Sequence, residues 1–308
     1  MGTGEIGGPA LNGLFADPTC EVVAVVTQPD KPVGRKQELQ ASPIKQLAVQ
    51  RGVPVLQPVK MRAPESIAEI VALQADLIVV MAYGQILPKA VLEAPRLACL
   101  NLHASLLPRW RGAAPIQAAI EAGDRVSGVT VMYMAEGLDT GDILLMHETP
   151  IADTDTGGTL HDRLAEVAAA ALAEALPLVV AGNAPRTPQD SALVTYAAKL
   201  SRENGRIDWQ ATPAQIDRRI RAMNPWPAAH TFLPTSTGAR QLKVFAGLPE
   251  AGGGGSPGQV LRADEHGLLV AAQDGAVLLS DIQLEGKRRM SAGEFLRGHP
   301  IAAGTVLG

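Results

Sequence analysis

Cysteine is nearly absent from this chain. Only Cys20 and Cys99 occur in 308 residues, each beside a strand-like apolar segment. Two such thiols cannot build the disulfide framework of a small secreted domain, and their setting suits buried side chains better than a redox pair or metal ligands. Histidine is scarce as well: six are scattered along the sequence without the clustered spacing a metal site needs, so no metal is expected. Long apolar runs are missing, since none approaches the roughly 20 residues of a membrane span. The first thirty residues show neither the basic start nor the apolar core of a secretion signal, and a cytoplasmic address is expected. Charge is sparse, 19% of residues against 46% apolar, which leaves material for two domains, each with its own core.

The net charge of -4 would argue against a nucleic-acid partner if it were evenly spread, but it is not. Residues 1–194 carry 14 Lys and Arg against 21 Asp and Glu, and residues 195–308 carry 13 against 10. The C-terminal third is therefore basic. Its cations gather at Arg218, Arg219 and Arg221 and again at Lys287, Arg288 and Arg289, two groups able to track phosphates or simply to form a solvated face.

Val22 to Thr27, Leu77 to Ala82 and Cys99 to Leu102 are short β-branched or aliphatic runs of the kind buried on both faces of a parallel sheet. Between them, Pro43 to Arg51, Pro64 to Leu73 and Pro115 to Ala122 have helical spacing, each opened by a proline suited to a first turn. The alternation predicts a doubly wound α/β domain. A longer Ala- and Leu-rich helix over Gly158 to Ala181 ends at Gly182-Asn183, and Pro185, Thr187 and Pro188 read as a linker. Thr212 to Met223 forms another helix. Beyond it lie five short strand candidates, Ala229 to Leu233, Gln241 to Ala246, Gly258 to Ala263, Gly267 to Ala272 and Ala276 to Ile282, with glycine-rich turns that suit an oligonucleotide-binding type of β-barrel. The expected organisation is a domain over 1–182, a linker over 183–204 and a small barrel domain over 205–308.

The opening Gly2-Thr3-Gly4-Glu5-Ile6-Gly7 is a literal GxGxxG, with Asp30 after the next strand, as in a dinucleotide site. That site needs a strand feeding the glycine turn, and only Met1 precedes it. Glycines here serve any doubly wound sheet by letting a strand fold tightly into its helix, so nicotinamide chemistry is not expected.

The stretch from Asn101 to Leu144 carries the chemistry. Asn101 and His103 are two apart at the C-terminal end of a buried strand, so their side chains leave the same face at the edge where α/β enzymes place ligands. Asp139 lies in a glycine-flanked loop after a second strand, Val129 to Tyr133. An amide, an imidazole and a carboxylate are the tools of acyl transfer: one donates to an oxyanion, one manages protons, one orients the ring. Taken singly, a histidine after a strand or an aspartate in a turn is usually structural. Ser105 lacks the GxSxG elbow of a nucleophilic hydrolase, so direct transfer fits better than covalent catalysis.

Asn101-Leu102-His103, Ser105-Leu106-Leu107-Pro108 and Gly137-Leu138-Asp139-Thr140-Gly141-Asp142 together resemble the formyltransferase family that uses 10-formyltetrahydrofolate. The likeness extends to Thr27-Gln28-Pro29-Asp30, Ala82-Tyr83-Gly84, Ile86-Leu87-Pro88, Pro108 through Gln117, Ile207-Asp208-Trp209 and Arg221 through Pro227. It implies a Rossmann-like formyltransferase domain with a mostly parallel sheet, followed by an oligonucleotide-binding type barrel. It further implies formyl transfer to the α-amine of methionyl initiator tRNA by a monomeric enzyme, without metal or nicotinamide. By the same resemblance, Asn101 and a protonated His103 stabilise the oxyanion while Asp139 holds the ring and assists proton transfer. Ser105, Leu106, Leu107 and Pro108 line the folate site, and the backbone around Tyr83, Gly84, Gln85, Ile86 and Leu87 and around Asp139 to Asp142 forms the pterin pocket. The family's tRNA loop corresponds to Lys31 to Ser42, with Arg35 and Lys36 as its cations, although Gln37 and Glu38 make it less basic than usual. Two other acceptor classes stay open, an amino-sugar nucleotide and a non-catalytic tRNA-binding relative. Relatives begin with an apolar first strand that this chain lacks, so a start codon further upstream is expected, and the chain as it stands is expected to fold poorly.

Overall fold

A computed structural model describes residues 1–33, 38–236 and 238–308 of the chain. In chain order the elements are α1 (Gly8–Ala16), β1 (Val25–Val26), β2 (Lys31–Val33), β3 (Glu38–Gln40), α2 (Pro43–Gln50), β4 (Val55–Leu56), α3 (Pro64–Ala72), β5 (Leu77–Val80), α4 (Lys89–Leu92), β6 (Ala98–His103), β7 (Arg111–Gly112) and α5 (Pro115–Ala122). There follow β8 (Val126–Tyr133), β9 (Ile143–Pro150), α6 (Gly157–Val180), β10 (Tyr196–Ala197), α7 (Pro213–Ala222), β11 (Ala229–Thr235), β12 (Gly238–Ala251), β13 (Val260–Asp264), β14 (Gly267–Ala271), β15 (Gly275–Leu284), β16 (Met290–Ser291) and α8 (Ala292–Gly298). The helices expected from proline-first turns form where expected. Ser42 caps α2 by accepting the Lys45 amide, and Thr212 and Gln215 cap α7 reciprocally.

The chain divides into two compact units, Met1–Pro115, Val126–Pro150 and His161–Ala198 in one, and Ile116–Arg125, Ile151–Leu160 and Lys199–Gly308 in the other. In the first unit, β1 pairs with β4 and β5 with β6, both parallel. The four-stranded sheet runs β5-β6-β8-β9, and its second half is antiparallel. That half was hard to foresee, because β8 is buried along nearly its whole length and reads like a parallel strand; only β9 alternates buried with exposed residues. The expected strand over Val22 to Thr27 shrinks to β1. Between β1 and β5 run Met1 to Thr3: the Gly2 amide donates to Val26 O (2.9 Å), the Met81 amide to Met1 O (3.0 Å) and the Thr3 amide to Ala82 O (3.2 Å). The chain then turns through the glycine run into α1, so these glycines serve backbone packing.

The second unit is built on an antiparallel sheet in the order β11-β12-β15-β14-β13, with β16 added on β15. All five expected C-terminal strands are present, some longer than anticipated. The tail connects the two edge strands: Gly308 exchanges hydrogen bonds with Phe232 (2.8 and 3.0 Å), and Thr305 O accepts the Val260 amide (2.7 Å). Among the described residues, no helix is long and apolar enough to cross a membrane.

One core of the first unit gathers Val26, Met61, Ile70, Ile78, Val80, Leu87, Val91 and Cys99 around the ring of Tyr83. Cys99 is buried as expected, and burial pushes its thiol up to about 12; Cys20 is only half-buried. Alkylation at pH 8 followed by peptide mass spectrometry should therefore label Cys20 in the native protein and Cys99 only after unfolding. Equal labelling of both would contradict this packing. Leu100, fully buried on β6, should cost about 2–5 kcal/mol of stability in urea unfolding when replaced by Ala.

Candidate active site

Strand β6 delivers Asn101 and His103 to one face of its sheet, and the loop between β8 and β9 folds back to reach both. Asp139 Oδ1 lies 3.4 Å from the Asn101 amide nitrogen, and Oδ2 lies 3.7 Å from His103 Nδ1. The three groups singled out in the sequence are thus brought together, with His103 at 6% exposure. His103 Nε2 donates to the Trp110 carbonyl at 2.9 Å. A carbonyl can only accept, so this bond fixes a proton on Nε2 and leaves Nδ1 as the nitrogen that faces the carboxylate. The firmest contact of Asp139 is with the backbone, since Gly112 N–H donates to Oδ2 at 2.8 Å.

The backbone around these groups adopts unusual conformations. Ala82, Trp110 and Asp139 have φ of 48°, 62° and 50°, in the left-handed region that costs a non-glycine residue energy. Gly112 (φ 117°) and Gly141 are there by necessity: a Cβ on the first would meet Ala197 O at 2.4 Å, and one on the second would meet Tyr133 O at 1.8 Å.

The candidate folate residues divide by what their side chains do. Ser105 is buried, and its hydroxyl donates to Arg109 O at 2.6 Å. Leu106 and Pro108 are half-buried. Leu107 packs with Met132 and Ile143, and its amide donates to Thr130 Oγ1 at 3.0 Å. Tyr83 and Leu87 send their side chains into the core. Tyr83 therefore offers only backbone here, and burial pushes its phenol up to about 12, so it stays neutral. Gln85 uses both ends of its amide to hold the backbone at Pro58 and Met61 (2.9 and 2.8 Å). Ile86 is exposed, Gly84 has a positive φ of 79°, and Asp142 is half-buried with its carbonyl accepting the Tyr133 amide.

The expected linker is closely packed against this region. The Arg111 and Ala113 amides donate to the carbonyls of Thr195 and Ala197, and the Trp110 amide donates to the Thr195 hydroxyl (2.9 Å each). Thr187 pairs with Ile143. Gln189 donates to Asp139 O and Gly141 O (2.9 and 2.8 Å) and accepts from the buried Arg111 guanidinium. Little in the sequence points to Gln189, which sits among prolines and polar residues.

The cation groups behave differently from one another. Arg218 donates to Glu121 O (3.2 Å), Arg219 to Glu121 Oε1 (2.5 Å) and Arg221 to Asp217 (2.9 Å) and Asp155 O (3.1 Å). Arg289 is bound through two nitrogens to Asp281 and lies over the Phe245 ring. Those hydrogen bonds hold its charge, raising the guanidinium above its ordinary value. Lys287 and Arg288 are exposed, and their side chains take no partner among the described residues. Arg35 and Lys36 lie outside the described residues. Among those described, no group of three or more His, Cys, Asp or Glu is arranged to hold a metal ion.

Comparison with known proteins matches the chain to two family models, formyl transferase over residues 2–176 and formyl transferase C-terminal domain over residues 199–300. The chain is 49% identical over 308 residues to the methionyl-tRNA formyltransferase of Geotalea uraniireducens (strain Rf4), covering 100% of this chain and 96% of that one. It is 52% identical over 310 residues to that of Stutzerimonas stutzeri (strain A1501), with coverage of 100% and 96%. Among solved structures, WlaRD, a sugar 3N-formyl transferase, shares the fold at a TM-score of 0.65 and 18% identity over 93% of this chain and 97% of that one. HypX from Aquifex aeolicus, solved with tetrahydrofolic acid, matches at a TM-score of 0.59 and 22% identity over 84% of this chain and 47% of its own.

The close approach at Gly112 makes a direct test of the arrangement. Gly112→Ala should lower stability by about 1–3 kcal/mol in urea unfolding through the positive φ alone. It should also separate residue 112 from Asp139, which amide exchange at that position would report. A variant as stable as the parent would contradict the contact with Ala197 O.

Proposed function

Because the chain belongs to the formyl transferase family, we propose that Asn101, His103 and Asp139 are the groups with which it works. It is an enzyme, and its reaction is transfer of the formyl group of 10-formyltetrahydrofolate to the α-amine of methionyl-tRNA, the step that readies initiator tRNA for translation. The observation that carries the site assignment is the convergence of three chemically complementary side chains on one face of β6.

The surroundings fit a folate. Ile86 and Leu138 expose apolar side chains on the loops that follow β5 and β8, at 85% and 61%, where a flat ring system needs cover. The backbone of 83–87 and 139–142 and the segment Ser105 to Pro108 would hold it. Bound there, it supplies an N-formyl carbonyl whose oxygen gains negative charge as the amine attacks its carbon. Asn101 Nδ2 and His103 Nδ1 are the donors for that oxygen. Their present separations from Asp139, 3.4 and 3.7 Å, are too long to lock them and leave both able to turn to a stronger acceptor. Asp139, anchored by Gly112 N–H, stays in place to orient the imidazole and to take the proton that the amine sheds, which passes to the folate nitrogen as its bond to the formyl carbon breaks and tetrahydrofolate leaves.

For the tRNA, we assign phosphate contact to Lys287 and Arg288, whose charges are not committed elsewhere in the described structure. Arg218, Arg219, Arg221 and Arg289 have internal partners, so their first contribution is to the fold. Arg35 and Lys36 keep the role that the resemblance implies. The same reading makes 1–182 the catalytic domain and 205–308 the tRNA-binding domain, joined through 183–204, in a monomer working in the cytoplasm, where its two substrates are found.

Single-turnover formylation of charged initiator tRNA should yield formyl-methionine. Asn101→Ala and His103→Ala should each slow the step about 100- to 1000-fold, the usual effect of losing an oxyanion donor. Wild-type rates in both variants would remove the assignment. Folate binding with no transfer to the tRNA would instead favour an amino-sugar acceptor. The double variant Lys287→Ala with Arg288→Ala should raise the KM for tRNA and flatten its dependence on log salt by about 2, one unit for each phosphate contact, at unchanged kcat. An unaltered salt dependence would move the tRNA surface elsewhere.

A further inference from the structure

We infer that Gln189 is a positioning residue for the formyl transfer, a clamp through which the buried Arg111 sets the place of the Asp139 carboxylate. The inference rests on the reading of Asp139 above and adds a residue to it from outside the sheet and its loops.

Gln189 ends in a carboxamide. It has two N–H donors on one end and a carbonyl acceptor on the other, and which end faces which neighbour is set by those neighbours. A guanidinium cannot accept a hydrogen bond. Arg111 places Nε and an Nη on Gln189 Oε1 at 3.0 and 2.7 Å, so the oxygen must face the arginine. The two N–H bonds are thereby aimed the other way, onto Asp139 O (2.9 Å) and Gly141 O (2.8 Å). Every polar site of the amide is used, and the buried Arg111 would lose its partners if the amide turned over.

Two carbonyls two residues apart converge on a single nitrogen only if the backbone between them curls. Asp139 sits at φ 50°, which provides that curl at a conformational cost the clamp offsets. The curl turns the Asp139 side chain back toward β6. There the neighbour of Arg111, Gly112, donates its N–H to Oδ2. The loop is therefore held from two sides by consecutive residues: the side chain of 111, acting through Gln189, and the backbone of 112. Without the Gln189 donors the carbonyls of 139 and 141 lose their partners, and the carboxylate is left with one anchor.

The test uses the full-length protein and two variants of matched size. Gln189→Met removes every polar contact. Gln189→Glu keeps the pairing with Arg111 but presents only acceptors to the two carbonyls. Both should lower kcat about 100-fold, the scale of an ångström's misplacement of a catalytic group, with KM for folate and tRNA changed far less. Both should also raise amide exchange at Gly112 about ten-fold, the worth of one hydrogen bond, while amides of β6 and β8 keep their protection. Unchanged exchange at Gly112 in both variants overturns the clamp, whatever the rates do. Altered exchange with wild-type kcat overturns its catalytic consequence. If the parent itself transfers nothing to methionyl-tRNA, the functional reading fails, and exchange at Gly112 still decides whether the clamp exists.

Discussion

The hydrogen bond from Gly112 N–H to the Asp139 carboxylate is the contact on which the candidate site depends. A carboxylate with only 14% of its side chain in contact with solvent has lost most of its water and must be given donors by the protein. A backbone amide is a donor that cannot swing away, provided its own segment is fixed. That segment is β7, two residues long and held in place by β10. The backbone of residue 112 passes so close to Ala197 O, at a positive φ, that no side chain is tolerated there. A conformational requirement at a single glycine thus decides where the carboxylate stands.

Much of this was legible in the sequence, for reasons that differ by element. The buried strands announced themselves because Leu77 to Ala82 and Cys99 to Leu102 are largely aliphatic, and the helices because proline, and at α7 a capping hydroxyl, marked their starts. Asn101 and His103 were readable together because a spacing of two on a strand means a shared face. Their meeting with Asp139 came from the family resemblance and not from spacing, since 36 residues separate His103 from it and the reversal of direction at β8 brings the loop back. The direction of β8 and β9 itself had no clear signal: an antiparallel strand buried on both sides has the composition of a parallel one.

The basic C-terminal third shows what a charge count leaves out. Counting finds the clusters at 218–221 and 287–289 but says nothing of their neighbours. Arg219 and Arg221 meet Glu121 and Asp217, so their charges are balanced inside the fold, whereas Lys287 and Arg288 are exposed and meet no opposite charge among the described residues. Two clusters alike in sequence are thereby unlike in the field they project, and long-range attraction of a polyanion follows the uncompensated one.

The pairing of β7 with β10 also has a temporal side. Residues 110 and 195 meet across a chain separation of 85 residues, and such long closures form late because their loop entropy must be met before the contact returns anything. During synthesis, Asn101, His103 and Asp139 leave the ribosome well before Thr195 does. A nascent chain ending near residue 180 would hold all three candidate side chains and their supporting sheet, yet loops 108–112 and 139–141 would lack the segment that fixes them. The candidate site is thus completed after its three side chains have been made, with the arrival of the stretch that the sequence presents as a mere connection.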